Sequence, residues 1–364
     1  PPDGTLRLRA GTLDLAVTLR PAAITVDLAG GGEQGEQGLL EGFAGRHARE
    51  AQLGRGSRPG ASSGSTCARG LATIAAVRAG ESVVPAARGG PYPPRDGNAV
   101  TPWIDGLPFY TRLAAAFRGA RRQIWAIVSF IQPGFCFPDG TDWWDLLDEC
   151  AGRGVDVRVL FWRNPGFRTD HVFRGGPEDR EFLRGRGAKF AARWDSSGED
   201  PAHCHHQKGY VVDAGEADAV AFIGGMVLSR STLAAPGHHH GREKHDAFVE
   251  LRGPAVVDAE HNFVQRWNLA RRDEVAPPWP DEARAGPLPW PTRVPAACGE
   301  VRVQLARTIA PGMYPGRTPV LGAADFDSGA GESTIREHYL AAFAAARRTI
   351  YLENQHPGEL SLLT

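Results

Sequence analysis

Ile124-Trp-Ala-Ile-Val-Ser-Phe-Ile131 and Val155-Asp-Val-Arg-Val-Leu-Phe-Trp162 are two short apolar runs, separated by Pro133-Gly134, a stretch from about Asp142 to Arg153, and Gly154. Runs of this length, rich in β-branched and aromatic side chains, read as buried strands. The amphipathic stretch between them, stopped by a glycine, reads as a helix. Strand, helix and strand with a glycine exit make a βαβ unit, which implies a parallel or mixed sheet covered by helices. Residues 106–122 add a preceding helix, with Phe109, Leu113, Ala116, Phe117 and Ala120 at helical spacing. The fold class is therefore α/β: an α-β-α sandwich with a mixed, mostly parallel sheet. Trp143, Trp144, Trp162 and Trp194 read as core and cleft wall.

Three regions follow from this centre. Residues 1–98 form an N-terminal extension. Alternating apolar positions in 5–28 suit short strands, whereas 30–98 is rich in Gly, Arg, Ser, Pro and Ala and reads as loop or low-complexity chain, with one short element at 71–77. Order is expected to begin near Trp103. Residues 99–290 form the first complete domain. An internal repeat marks the third region: Ala115-Ala-Phe-Arg-Gly-Ala-Arg-Arg-Gln-Ile124 and Ala341-Ala-Phe-Ala-Ala-Ala-Arg-Arg-Thr-Ile350 agree at seven of ten positions. Residues 291–364 are thus expected to open a second α/β half, near Val301-Arg-Val-Gln-Leu305. The pairs Arg121-Arg122, Arg271-Arg272 and Arg347-Arg348 read as helix C-terminal charges that complement the dipole. Arg163, Arg168 and Glu353 read as residues near a cleft.

The 364 residues carry a formal charge of −1, with 42% hydrophobic residues. That balance excludes a strongly basic nucleic-acid binder. No apolar run reaches the length of a membrane span. Five scattered cysteines, Cys67, Cys136, Cys150, Cys204 and Cys298, lack CxxC spacing, so neither a disulfide framework nor a cysteine zinc knot is expected. The chain begins Pro1-Pro2 with no methionine before Met226, so a leader would not be visible; a cytoplasmic or membrane-peripheral location is expected over secretion. Only Lys189, Lys208 and Lys244 are lysines among 41 basic residues, so a lysine inside a motif stands out.

That lysine lies in His203-Cys-His-His-Gln-Lys-Gly-Tyr-Val-Val-Asp213, which is followed by Ala219-Val-Ala-Phe-Ile-Gly-Gly225. Residues 209–212 are β-prone, so His206 and Lys208, two apart, share a face at the mouth of a strand. An imidazole beside an ammonium suits an anion under nucleophilic attack: lysine neutralises non-bridging oxygens, and histidine attacks or moves a proton. No serine elbow accompanies them, which favours a phosphate ester over an amide. The other donors, His203, Cys204, His205, His238-His-His240 and His245, offer metal-type ligands. Alternating strand parity and the bracketing Pro236-Gly237 and Gly241 favour a solvated loop instead, and no metal or other cofactor is expected.

His206-x-Lys208-x4-Asp213, followed by a strand and Gly224-Gly225, resembles the HKD motif of the phospholipase D superfamily. Asp246 to Pro254, Phe263-Val-Gln-Arg-Trp-Asn268 and Ile350-Tyr-Leu-Glu-Asn-Gln355 resemble further segments of bacterial two-motif members, including those like cardiolipin synthase. The resemblance implies a phospholipase D-like sandwich, one complete half plus the start of a second. It makes His206 a catalytic nucleophile or acid and Lys208 a phosphate ligand. Asp213 would be a brace of the motif, Asp246 the carboxylate bonded to the histidine's other nitrogen, and Gly224 and Gly225 the phosphate-pocket lining. It implies a phosphodiesterase or transphosphatidylase acting on glycerophospholipids through a phosphohistidine, in peripheral contact with a membrane. Nucleases share the site, but with neutral net charge a nucleic-acid partner is not expected. Val227 stands where the family usually has asparagine. No other His-x-Lys occurs in the chain, and a second histidine in the same register would fall beyond Thr364. A piece of a longer two-motif enzyme is therefore expected; self-pairing as a homodimer and an inactive relative that binds anionic phosphate groups are the alternatives.

Overall fold

The computed structural model describes residues 84–352 except 164–172, 174–176, 197–205, 236, 239–242 and 271–285, together with the backbone of the strand at 23–28. Its centre is one mixed sheet. Parallel strands β3 (Gln123–Val128), β4 (Asp156–Arg163) and β5 (Ala191–Ser196) form one wing. On its other side β3 pairs antiparallel with β6 (Gly209–Val212), which leads through β7 (Val220–Gly224) and β8 (Ala247–Arg252) to β2 (Arg95–Ile104). β2 then joins β9 (Val301–Ile309), which pairs in parallel with β1 (Ala23–Leu28).

Period-two alternation explains how the sheet is covered on both faces. Ile124, Ala126 and Val128 of β3, with Val157 and Val159 of β4 and Tyr210 of β6, face the helices α1 (Gly106–Gly119) and α2 (Trp143–Gly152). Trp125, Ile127 and Leu160 point the other way, onto Phe263, Val264 and Trp267 of α4 (Val256–Leu269), the helix that follows the short α3 (Pro177–Gly185) and β8. The stops are legible chemistry: Asp142 caps α2 through the N–H groups of Trp144 and Asp145, and Gly154 follows it at φ 91°. All four tryptophans assigned to core or cleft wall are buried.

Order begins earlier than Trp103. Tyr92 is buried, β2 starts at Arg95, and Arg95 forms an ion pair with Asp258 of α4 at 2.7 Å. The composition of this segment hides these contacts, because its order comes from ladder bonds to β8 and β9 rather than from its own apolar pattern. Residues 30–83, which include 71–77, lie outside the described residues.

The segment expected to open a second half runs as β9, in the same sheet as the preceding strands, and, after the two-residue strands β10 (Arg317–Thr318), β11 (Phe326–Asp327) and β12 (Glu332–Ser333), as helix α5 (Thr334–Ala345). Residues 350–352 are not in a strand, and 353–355 lie outside the described residues. β9 is already bordered by β1 on one side and by β2 and β12 on the other, so it offers the repeat no free ladder. Arg121 and Arg122 follow the end of α1 and pair with Asp218 and Glu216 of the β6–β7 turn instead of with helix carbonyls.

Burial, with Arg307 and Arg95 nearby, holds the His261 imidazole of α4 down at about 3. The folded imidazole stays neutral while the unfolded chain takes up a proton near pH 6.5. Its contribution is thus complete above pH ~6.5 and is lost as pH falls toward 3, at up to ~1.4 kcal/mol per pH unit. Urea midpoints should consequently fall less in His261→Gln than in the parent between about pH 6 and 4. Equal slopes would show that His261 titrates normally.

Candidate functional site

Four strand ends meet at one rim of the sheet. The register places Gly209 of β6 against Ile127 of β3 and Ile223 of β7, and Gly224 of β7 against Phe248 of β8. The residues just beyond these ends are Phe130, His206 to Lys208, Gly225 and Asp246. The C-terminal ends of the parallel strands β3 and β4 lie at this rim, where α/β sheets leave a crevice for ligands.

His206 and Lys208 come together here. The His206 ring stands edge-on to Phe130, with centroids 5.4 Å apart, and the Lys208 ammonium lies 6.0 Å from the centre of the same ring. Lys208 is buried, and its Nζ donates to the His206 carbonyl at 2.9 Å; His206 keeps part of its surface exposed. Burial, reinforced by the Lys208 charge, lowers the imidazole to about 3. At neutral pH it is an uncharged ring with a free lone pair, the form a nucleophile requires. Phe130 also meets Trp162 edge-on at 5.1 Å, so the wall of the site is aromatic.

Gln207 points to the opposite face. Its Oε1 accepts from Arg266 Nη1 at 2.8 Å and from Asn262 Nδ2 at 3.1 Å, both on α4. Arg266 also donates to Asp195 at 3.1 Å, and the Tyr314 hydroxyl donates to the same oxygen at 2.5 Å. The residue between His206 and Lys208 is thus tied to a fully buried polar network, which holds the backbone of both. Sequence reasoning passed over Gln207; alternation with His206 and Lys208 was the available signal.

Asp246 sits at the mouth of β8. Its carboxyl is pushed up by burial, against the pull of its own strand's amide and of the Lys208 charge. The resemblance implies a hydrogen bond from His206 to this carboxylate, and the structure does not make it: Oδ1 accepts the Ala247 N–H at 2.7 Å. The carboxylate lies hard against Gly225, where an added Cβ would come within 2.4 Å of Oδ1. At Gly224 a Cβ would meet the Ala247 carbonyl at 2.3 Å. Both glycines therefore allow β7 and the start of β8 to approach closely.

Asp213 lies at the far end of β6, roughly 20 Å of extended chain from His206. Its carboxylate accepts the N–H groups of Arg121, Arg122 and Gln123 at 2.8 to 3.1 Å, pinning the turn from α1 into β3, and its backbone has φ 51°. Substrate at the opposite rim cannot reach it. Asp213→Ala should cost roughly 2–3 kcal/mol by orphaning several amides, read as a lower urea midpoint at unchanged slope.

His203, Cys204, His205, His239, His240, Arg168 and Glu353 lie outside the described residues, as does the side chain of Arg163. His238 and His245 do converge, on Asp105: Asp105 Oδ1 is 3.0 Å from His238 Nε2 and 2.8 Å from His245 Nδ1, and those nitrogens are 3.2 Å apart. The sequence offers no local sign of Asp105, which precedes α1. Among the described residues no helix is long and apolar enough to cross a membrane.

The covered sheet and the rim of strand ends define a mixed α/β protein with its candidate site at the strand ends. The chain is similar to phospholipase D gamma 1 of Arabidopsis thaliana, 28% identical over 215 residues, covering 44% of this chain and 25% of that protein. Phospholipase D alpha 2 of Oryza sativa subsp. japonica is 25% identical over 285 residues, covering 58% and 33%. Both of these relatives are phospholipases D, and the likeness covers part of this chain. The chain spans a quarter to a third of the length of these curated relatives. No family model matches it. Among solved structures it is similar to NucT from Helicobacter pylori, at 11% identity and a TM-score of 0.32, covering 46% of this chain and 95% of that one. It is also similar to phosphatidylserine synthase from Haemophilus influenzae, at 14% identity and a TM-score of 0.32, covering 46% and 39%.

Proposed function

We propose that this chain supplies the histidine–lysine half of a phosphodiester-transfer site acting on glycerophospholipids. The observation that carries the reading is the neutral, partly exposed imidazole of His206 beside the buried ammonium of Lys208, at the strand-end rim. A histidine nitrogen of His206 forms a P–N bond while the P–O bond to the leaving alcohol breaks. The leaving oxygen takes a proton from a second histidine, contributed by a further length of the protein or by a second copy of the chain. Water, or an acceptor alcohol, then attacks phosphorus and gives its proton to that second histidine. The P–N bond breaks and restores His206. Lys208 neutralises the non-bridging oxygens throughout, supplying charge at the position where it develops. Asp246, bonded to its own strand, acts as a positioning residue for the rim.

The test uses the full-length protein containing this chain, with short-chain phosphatidylcholine and, separately, single-stranded DNA. Turnover of the lipid, with a phosphatidyl adduct trapped on the peptide that carries His206, is the expected result. Cleavage of DNA alone would replace the substrate class with a nucleic-acid diester. Lipid turnover with the adduct on another peptide would reject His206 as nucleophile.

A further inference from the structure

A cluster of metal-type donors lies beside the candidate site and takes no part in the chemistry proposed for it. We propose that Asp105, His238 and His245 bind one divalent transition-metal ion of the zinc class.

The three donor atoms form a closed triangle with edges of 2.8, 3.0 and 3.2 Å. A tetrahedral ion with bonds of ~2.0–2.1 Å holds its ligands about 3.3 Å apart. The triangle needs to open by only a few tenths of an ångström to admit one. Protons alone do not satisfy it. If both imidazoles donate to Asp105 Oδ1, two N–H groups face each other at the third edge. If only one nitrogen carries a proton, a carboxylate oxygen or a nitrogen lone pair is left facing another lone pair. A cation at the centre turns all three lone pairs into attractions.

The backbone presents these donors at a cost. Asp105 adopts φ 65° and ψ 156°, a region otherwise almost reserved for glycine, and His238 has φ 48°. Asp105 also donates its N–H to the Asp246 carbonyl at 2.9 Å, so the cluster is anchored on the residue beside His245. The Asp105 carboxylate is 3% exposed, whereas His238 and His245 are 30% and 40% exposed, which leaves the solvent side open for a water in the fourth position. Two imidazoles and a single carboxylate select zinc, cobalt, nickel or copper over calcium and magnesium, which favour all-oxygen ligand sets.

Metal-stripped protein without an affinity tag should be titrated with cobalt(II) and followed by its visible d–d absorption, with zinc as competitor. One ion per chain, displaced by zinc, is expected. His238→Ala and His245→Ala should each weaken binding by at least roughly 100-fold, while His239→Ala/His240→Ala keeps it. Both ligand histidines are half-exposed, and far-UV circular dichroism of each variant checks that it folds. As a second readout, zinc should raise the urea midpoint of the parent but not that of His238→Ala. Failure to bind one ion saturably, or binding that survives in the His238→Ala/His245→Ala double variant, overturns the proposal. Neither readout depends on turnover, so failure here leaves the reading of His206 intact.

Discussion

His206→Ala is expected to lower phosphodiester turnover by at least ~10³-fold, the scale of loss when a covalent nucleophile is removed. Alanine offers no nitrogen for the P–N bond, so the trapped adduct should vanish together with the activity. Lys208 remains, and with it most of the grip on the phosphate; the loss should therefore fall on kcat more than on KM. Lys208→Gln should cost ~10²-fold, because one preorganised charge is lost while the nucleophile stays. The pH profile separates this account from a simple packing role. Burial and Lys208 hold His206 at about 3, so the nucleophile stays unprotonated, and the acid limb of kcat/KM should not appear at the ordinary histidine value of ~6.5. Rates measured from about pH 4 to 8 check this. An acid limb near pH 6.5 that disappears in no other histidine variant would mean that His206 titrates as an exposed imidazole, and the assignment would fail.

The largest effect on stability should come from Arg307→Met. Arg307 on β9 is fully buried; its Nε donates to Glu332 Oε2 at 2.7 Å and its Nη1 to Asn262 Oδ1 at 3.0 Å, with the guanidinium 4.9 Å from the centre of the Tyr92 ring. Asn262 in turn donates to Gln207, so one side chain links β9, through α4, to the residue between His206 and Lys208. Removing the cation leaves the Glu332 carboxylate in a dry interior, at a cost of ~3–5 kcal/mol. Burial already pushes that carboxyl up, and Arg307 opposes the shift. Without Arg307 the folded pKa rises further. A raised carboxyl contributes stability that is present below the unfolded value of ~4.3 and is lost as pH rises through the folded value. The penalty should accordingly be largest at neutral pH and shrink toward pH ~4. Adding Glu332→Gln should recover part of it, and urea denaturation of all four members of the cycle measures the coupling.

Much of the first unit was legible in local sequence. β3, α2 and β4 follow from apolar runs, a capping aspartate and a stopping glycine, all signals that span a few residues. The His206–Lys208 pair was legible for the same reason, since two-residue spacing sends two side chains to one face whatever the strand pairs with. The N-terminal boundary was not. β2 carries Arg95, Gly97 and Asn98 in its own sequence, and its order depends on ladders to strands that come about 150 and 200 residues later.

What the sequence determined by itself is the chemistry on offer: an imidazole and an ammonium at a strand mouth, and alternation that demands a covered sheet. Only the tertiary structure decided where that chemistry is held. It moved Asp213 to the far end of β6, turned Asp246 toward its own strand, and carried Asp105 onto histidines 133 and 140 residues away. The reason is physical. Side-chain period is a property of neighbouring residues, whereas convergence of distant donors depends on which strands pair and on how closely glycine lets their ends approach.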